Sequence, residues 1–507
     1  MKLNYKRTIL VGFAFFLISA FWQAYDATIA LTLTNKFGMS QTWSGVIMAL
    51  DNILAIFMLP LFGTLSDKCK SKSGRRTPFI RFGTIIAAVA LVCLSFVDNA
   101  QLKNLSAVST VDDPAALAVI YDTQANEALS TPEGEDFVLS EQFTKEQFTA
   151  INSKENKDEY TNYVVPARQA YAAQVTASNP TTLYIFIGVL LIILIAMATF
   201  RSPAVALMPD VTLKPLRSKA NAIINLMGTA GGILVLVLGI IFGTSAHLMS
   251  YTVFYSVLAA VMLGALTIFL LTVKEPQWVA QMQSDAIRYG IEEAPAEEGA
   301  EEKRTLSKRE KLSLICILLS VALWYIGYNA VTSKYSVYAT NVLQKNYNTT
   351  MLIAQAAAIV AYLPAGMVAS KIGRKKTILI GVVMLSGAFG CASLMTANSP
   401  TLVMNILFIL AGVAWATINV NSFPMVVEMC TGANVGKYTG FYYTASMAAQ
   451  IITPMFSGFL MDQLGMTVLF PYAAIFAGLA FITMMLTKHG DAKIIAKKGL
   501  EALDIDD

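Results

Sequence analysis

The chain has 507 residues, 55% of them hydrophobic and only 14% charged, with a mean hydropathy of +0.57. Soluble proteins carry about 25% charged residues, so this apolar excess, gathered in long runs, excludes a water-soluble enzyme. Thirty-seven Lys and Arg against 33 Asp and Glu leave a net charge of +4, too weak a positive field to argue for a nucleic-acid partner.

In lipid a spanning segment must satisfy its own backbone N–H and C=O groups, so an apolar stretch of about 20 residues reads as a transmembrane helix. Twelve are predicted, at about 8–33, 41–65, 79–97, 182–208, 220–243, 251–273, 312–339, 350–369, 377–395, 401–427, 438–461 and 467–487. The first is too long, and too plainly followed by further spans, for a cleaved signal peptide, and reads as retained. Between the third and fourth lies an external loop, about 98–181, with 13 acidic and five basic residues and no cysteine. Its stretches after Asp113-Pro114 and from Ser140 have helix-capping residues; a small helical cap, disorder and a partner-binding insert all stay open. Between the sixth and seventh, about 274–311, EEAPAEEGAEEKR and SKREK mark a solvated linker. The domain reading is therefore a six-helix bundle over 1–273 with its insert, the linker 274–311, a second six-helix bundle over 312–487, and a tail over 488–507. The five cysteines, Cys69, Cys93, Cys316, Cys391 and Cys430, lie in or beside apolar segments, and no pair has metal-site or disulfide-framework spacing.

Lys and Arg accumulate in cytoplasmic loops. With both termini inside, 28 of them fall on the cytoplasmic side and eight outside, Lys36 and Lys334 among the eight, while Arg201 sits within a helix. The prediction is a multi-pass protein of the cell (inner) membrane with both termini cytoplasmic. Lys334, in the outer third of helix 7, is expected to snorkel to the surface.

The two halves share a signal between their second and third helices: GTLSDKCKSKSGRR (Gly63 to Arg76) and GMVASKIGRKK (Gly366 to Lys376). A second echo pairs Pro203 to Asp210 and RSKANA with Pro424 to Glu428 and GKYTGF. Duplicated halves mark transporters whose substrate site lies near the midplane between the repeats. At these residues the chain resembles the major facilitator superfamily, an all-α fold of twelve transmembrane helices in two six-helix pseudo-repeats. SDKCKSKSGRRTPFI (Ser66 to Ile80) and RSPAVALMPDVTLKPLRSKANAIINLMG (Arg201 to Gly228) resemble the sucrose-carrier and glycoside:cation symporter branch more narrowly. The resemblance implies a monomeric carrier that rocks its halves about a central cavity and moves a glycoside with a proton or sodium ion.

Charged groups inside a span are costly, roughly 2.5 to 3.5 kcal/mol each, and tend to be functional. Asp26 in helix 1 and Asp51 in helix 2 fall at similar depth on neighbouring antiparallel helices and are the candidates for proton coupling, because two close carboxyls cannot both ionise in low dielectric. A packing role, each acid capped by a nearby hydroxyl or amide, is the alternative. Sodium-using melibiose-type carriers present two acids one turn apart in helix 2; here Ala55 follows Asp51, which favours a proton. Plant sucrose carriers place an acid in helix 4 where this chain reads LLIILIAMA, so Asp26 has to substitute for it. Arg201 is a candidate for pairing with a carboxylate or for a bidentate hydrogen-bond fork to sugar hydroxyls, with pairing to Asp210 as the alternative.

A sugar site needs polar groups for hydroxyls and aromatic planes for ring faces. Trp22, Gln23, Asn52, Arg201, Trp324, Tyr328, Asn329, Trp415, Asn419, Tyr442 and Gln450 form the candidate set. By family resemblance Asp210 and Glu428 are gate carboxylates that pair with loop arginines such as Arg75 or Arg374 while the inner side is closed, with Asp67, Arg76 and Arg217 in the same network. Neither His247 nor His489 lies near an intramembrane acid, and no GxSxG, HExxH or phosphate-loop pattern occurs. The expectation is therefore not an enzyme but a cofactor-free secondary transporter in contact with membrane lipid. It imports an α-linked disaccharide such as sucrose or maltose by proton symport; a same-fold carrier using sodium, or one for another solute including an exporter, is the alternative.

Overall fold

The computed structural model describes residues 3–213, 216–289, 307–427, 429 and 435–489. Among the described residues, twelve long helices carry the fold: α1 Tyr5–Leu31, extended by a π-helical turn Thr32–Lys36, α2 Gln41–Asp67, α3 Thr77–Asn104, α4 Thr181–Val211, α5 Arg217–Phe242, α6 Thr252–Thr272, α7 Lys308–Asn341, α8 Tyr347–Ile372, α9 Arg374–Ala392, α10 Thr401–Val427, α11 Val435–Leu464 and α12 Leu469–Leu486. Eleven of them are long and apolar enough to cross a membrane. The remaining one, α11, is long enough but carries a polar run of Tyr442, Tyr443, Thr444, Ser446, Gln450 and Thr453 that lowers its hydropathy. The chain is a multi-pass membrane protein with the major facilitator fold, and the twelve predicted spans coincide with these helices.

Local signals set the ends. Asn4, Ser40, Ser307 and Asn346 cap α1, α2, α7 and α8 with side-chain oxygens, and Ser307 with Glu310 forms a capping box. Pro60, Pro203, Pro209, Pro364, Pro424 and Pro454 lie inside helices, as spanning helices tolerate where neighbours re-satisfy the freed carbonyls. Packing repeats between the halves: α1 lies on α5 as α7 lies on α11, α3 on α4 as α9 on α10, and α2 on α4 as α8 on α10. Across the molecule α2 meets α11, and α5 meets α8.

The linker prediction needs a correction. Its first part is an amphipathic helix, Glu275–Arg288, that turns Trp278 toward the bundle beneath the Arg7 guanidinium, 4.9 Å away, while Arg7 Nη2 donates to Gln281 at 2.6 Å. Residues 290–306 lie outside the described residues. The insert folds as a small cap with its own core of Leu117, Ile120, Leu139, Phe148, Tyr160 and Val164. It contains the predicted helix after Asp113, Pro114–Gln124, short helices from Leu139, and a long helix Val165–Ser178. It also contains a hairpin, β1 Ala128–Ser130 against β2 Asp136–Val138, that no periodicity announced.

Two lysines counted on the outer side, Lys36 in a loop and Lys334 in the outer third of helix 7, belong to the interior. Lys36 is 2% exposed; its Nζ meets Asp98 and the Met249 carbonyl, each at 2.6 Å, and lies 3.9 Å from the Tyr251 ring centre. Lys334 does not snorkel: it is fully buried and donates to the Gln41 carbonyl at 2.7 Å. Burying an ammonium is tolerable only with such partners.

Candidate functional site

A cavity of about 850 Å³ lies between the two halves. Its α1 wall runs from Phe15 to Asp26, and every α1 residue from Ala27 to Leu31 is buried. Ser336 of α7 donates to the Asp26 carbonyl at 3.4 Å just past that point. On α1 the cavity therefore ends at Asp26 toward the face that carries the insert, while in the second half its wall reaches Met351 and Phe389. On α5 it reaches Ala222, close to the helix start, so it extends toward the face of the termini.

Small residues and polar groups shut the insert side. Gly45 of α2 faces Pro454 of α11, and Gly458 of α11 faces Gln41: a Cβ at Gly45 would lie 2.5 Å from the Pro454 carbonyl carbon, and one at Gly458 would lie 2.6 Å from that of Gln41. Asp462 of α11 accepts the Gln41 and Thr42 N–H groups, both at 2.7 Å, capping the first turn of α2 from the opposite half. Asn35 and Asn341 exchange two amide bonds, and the Thr244 and Tyr347 hydroxyls meet at 2.8 Å.

Seven of the predicted residues come together on the cavity wall: Trp22, Gln23 and Asp26 from α1, Arg201 from α4, Tyr328 from α7, and Trp415 and Asn419 from α10. Spacing explains the α1 trio, since residues three and four apart share a helix face. Tyr328 and Trp415 stack flush, 3.7 Å apart at 7°. The Arg201 guanidinium lies 5.7 Å from the Trp22 ring centre. Asp51 is not on this wall, but its charge interacts with both Asp26 and Arg201, and Asn52 donates to its Oδ1 at 2.8 Å. Tyr25, donating toward the Ile47 and Met48 carbonyls at 3.4 Å, ties α1 to α2 and sets the depth of both acids.

Other candidates sit elsewhere. Trp324 is fully buried in the packed interior, and Tyr442 is buried with its hydroxyl 2.9 Å from that of Ser422. Asn329 and Gln450 do not line the cavity. Residues unnamed in the sequence reading take those places. Gln355 of α8 donates across the cavity to Gln23 of α1, joining the halves. Tyr362 and Asn225 add a hydroxyl and an amide, and Asn419 reaches the Tyr362 hydroxyl at 3.5 Å. Gln355 is a lone amide within an apolar run, and Asn225 follows Asn221 by one turn, a signal available in the sequence but not used there.

On the terminal face, Arg75 Nη2 meets Asp210 at 2.7 Å, while Arg76 meets Asp210 at 2.8 Å and Asp67 at 2.5 Å. Burial works against the charge of Arg76, but Asp210 and Asp67 outweigh it and hold its pKa above the ordinary arginine value. These bonds tie α2, α3 and α4 of one half together on the face toward which the cavity extends. Arg201 is not the partner of Asp210. Arg217 donates to the Pro209 and Thr212 carbonyls at the end of α4. Arg374 is buried at the start of α9, and Glu428 lies outside the described residues. The sequence reading also missed Glu275. Its carboxylate is 1% exposed, accepts the N–H groups of Arg75, Arg76 and Thr77 at 2.8 to 2.9 Å and the Thr77 hydroxyl at 2.7 Å, and so caps α3 from the following linker helix.

A family model described as Major Facilitator Superfamily matches residues 340–502, and one described as MFS/sugar transport protein matches residues 10–108. Two sucrose transport proteins of Arabidopsis thaliana are 30% identical over 74 residues and 32% identical over 76 residues, in each case 15% of this chain. Those stretches span only 14% and 13% of the two plant proteins. Among solved structures, an inward-open xylose transporter from E. coli superposes with a TM-score of 0.57 at 16% identity, covering 99% of both chains. A nucleoside transporter superposes at 0.53 with 17% identity, covering 95% of this chain and all of the other; a peptide transporter does so at 0.55 with 10% identity over 95% and 93%. These likenesses are of fold.

Proposed function

Because the chain belongs to the major facilitator superfamily, we propose that it is a secondary carrier of a glycoside, most simply an α-linked disaccharide, moved together with a proton by alternating access. The observation that carries this reading is the make-up of one cavity wall: the acid Asp26, the fork of Arg201 and the bridging amides of Gln23 and Gln355 face the same space as the Tyr328–Trp415 stack. Hydroxyls bond to the first group, and the C–H face of a sugar ring lies on the second. The match to a sugar-transport family model and the short sucrose-carrier likeness agree with it.

The insert face is external and the face of the termini cytoplasmic, in the orientation that the 28 to eight distribution of Lys and Arg supports. The conformation is then inward-facing. The carrier sits in the cell (inner) membrane and works as a monomer. Asp26 and Asp51 exchange the proton, with Arg201 as the counter-charge that lets Asp51 ionise when Asp26 is protonated. Ala55, one turn after Asp51, leaves sodium without a second carboxylate there. Asp67, Arg75, Arg76 and Asp210 are already paired within the first half in this inward-facing conformation, so they brace that half rather than break on opening, and with Arg217, Arg374 and Glu428 they form the base on which the inner gate closes; 1–273 and 312–487 are the rocking bodies.

The test is proton uptake into proteoliposomes, read with a pH dye as disaccharides are added with and without sodium. One sugar that alkalinises the outside without sodium bears the reading out. The flat Tyr328–Trp415 platform also suits a nucleobase, so nucleosides belong in the panel; a response to a nucleoside alone replaces the glycoside reading with a nucleoside carrier.

A further inference from the structure

The insert is rooted in one half and reaches the other. Gln101 of α3 donates to Thr176 of its long helix at 3.1 Å, and Gln169 of that helix donates to Asn35 at 3.2 Å. Gly38, at φ +65°, lets the helix backbone at Ala173 approach where any Cβ would intrude. These contacts, with the insert's own core, fix it to α1 and α3.

Among the described residues, three separate contacts cross to the second half. The turn between β1 and β2 sits on the loop between α11 and α12, where Thr467 N–H donates to the Pro132 carbonyl at 3.1 Å. Gly134 and Gly465, both with positive φ (86° and 91°), bring the two backbones together, and a Cβ at Gly465 would lie 2.6 Å from the Pro132 oxygen. Gln344, between α7 and α8, donates to Thr161 Oγ1 at 2.8 Å and to the Lys157 carbonyl at 3.2 Å. Asn398, before α10, gives its amide to both Asp158 carboxylate oxygens, at 2.8 and 2.9 Å.

We infer that the insert is a clasp: it holds the halves closed on its own face, and these three contacts break each time the carrier opens there. The inference rests on the alternating-access reading above. All three contacts involve polar groups or bare backbone at the rim, and none adds apolar core. Asn398 and Asp158 are exposed and Gln344 is half-buried against the buried Thr161, and polar bonds at the surface exchange for water at little cost, as a contact remade at every cycle requires. The root in the first half uses buried groups and stays made.

The test needs no knowledge of the transported solute. In a cysteine-free background, S336C places a thiol at Ser336, a residue 4% exposed that contacts the Asp26 carbonyl across the closed seam. A membrane-impermeant maleimide applied from the insert side reports opening. N398D sets a second carboxylate against Asp158 at an exposed site, and should raise the labelling rate two- to fivefold. D158N added to N398D restores an amide–carboxylate pair with roles exchanged, and should return the rate to that of the S336C parent. Q344A should raise it as well, and S130A, which breaks a bond inside the hairpin to Asp136, should not. An unchanged rate in N398D and Q344A overturns the clasp while leaving the carrier intact. No labelling in any variant overturns the clasp and the alternating-access reading together.

Discussion

Gly45 and Gly458 are the places where one added carbon should redistribute the conformations of the whole carrier. A Cβ at Gly45 would meet the Pro454 carbonyl carbon at 2.5 Å and Met455 N at 3.0 Å; these are backbone atoms of α11 that cannot rotate aside. A Cβ at Gly458 would meet the Gln41 carbonyl carbon at 2.6 Å and Thr42 N at 3.0 Å. Relief requires α2 and α11 to separate by about an ångström, and overpacking of that kind costs about 1 to 3 kcal/mol. Only the state closed on the insert face bears the cost, so G45A should shift the equilibrium five- to hundredfold toward opening on that face. Spin labels at Tyr184 and Leu402, exposed residues near the insert-side ends of α4 and α10, measure it through their distance distribution. G45A and G458A should each add a longer-distance population, and the double variant should enlarge it. An unchanged distribution in both variants would refute the reasoning that this glycine crossing forms the seam.

Other perturbations follow from the same geometry. E275A strips four hydrogen bonds from the start of α3; at about 1 kcal/mol each the local cost is about 4 kcal/mol, and the detergent-solubilised melting temperature should fall by about 5 °C or more, whereas E275Q should recover part of the loss. His247, packed beneath the insert, has its pKa lowered to about 4 by burial and by the nearby Arg168 charge. An unfolded histidine takes its proton near 6.5, so between those values the unfolded chain binds more protons and the folded insert loses stability as pH falls, by about 3 kcal/mol in full. Hydrogen exchange within residues 105–178 should accelerate from pH 6.5 toward pH 4, and H247Q should flatten that dependence. Q355A removes the amide bridge to Gln23 and W415A the partner of Tyr328; each should raise the KM for the transported solute about tenfold, with the melting temperature close to the parent value in Q355A.

Much of the fold was legible because membrane spans and basic loops are each dictated by a single strong term, the cost of unsatisfied or charged groups in hydrocarbon. The repeat between Gly63 to Arg76 and Gly366 to Lys376 carried the symmetry of the halves. Part of the site was legible for a similar reason: Trp22, Gln23 and Asp26 share one face of α1, so a periodic reading groups them before any neighbour is known. Trp324 and Tyr328, four residues apart on α7, look equivalent by that rule, yet one turn of about 5.4 Å along the axis separates a packed interior from the cavity. Gln355 carries no such pattern, since its partner Gln23 is 332 residues away. Lys36 and Asp98 were read as loop charges because their burial depends on α1 continuing one π turn past its apolar run. Glu275 was unreadable for the complementary reason: an acid after a span is an ordinary solvated linker residue until the chain folds back beneath α3.

The central claim is that Asp51 and Asp26 couple solute movement to a proton, and it is tested most directly by comparing two modes of transport in one variant. D51N in proteoliposomes should lose uphill solute uptake driven by an imposed pH gradient while keeping solute counterflow, because exchange needs the cavity and its rocking but not net proton release. Accumulation at the parent level in D51N would contradict the proton role.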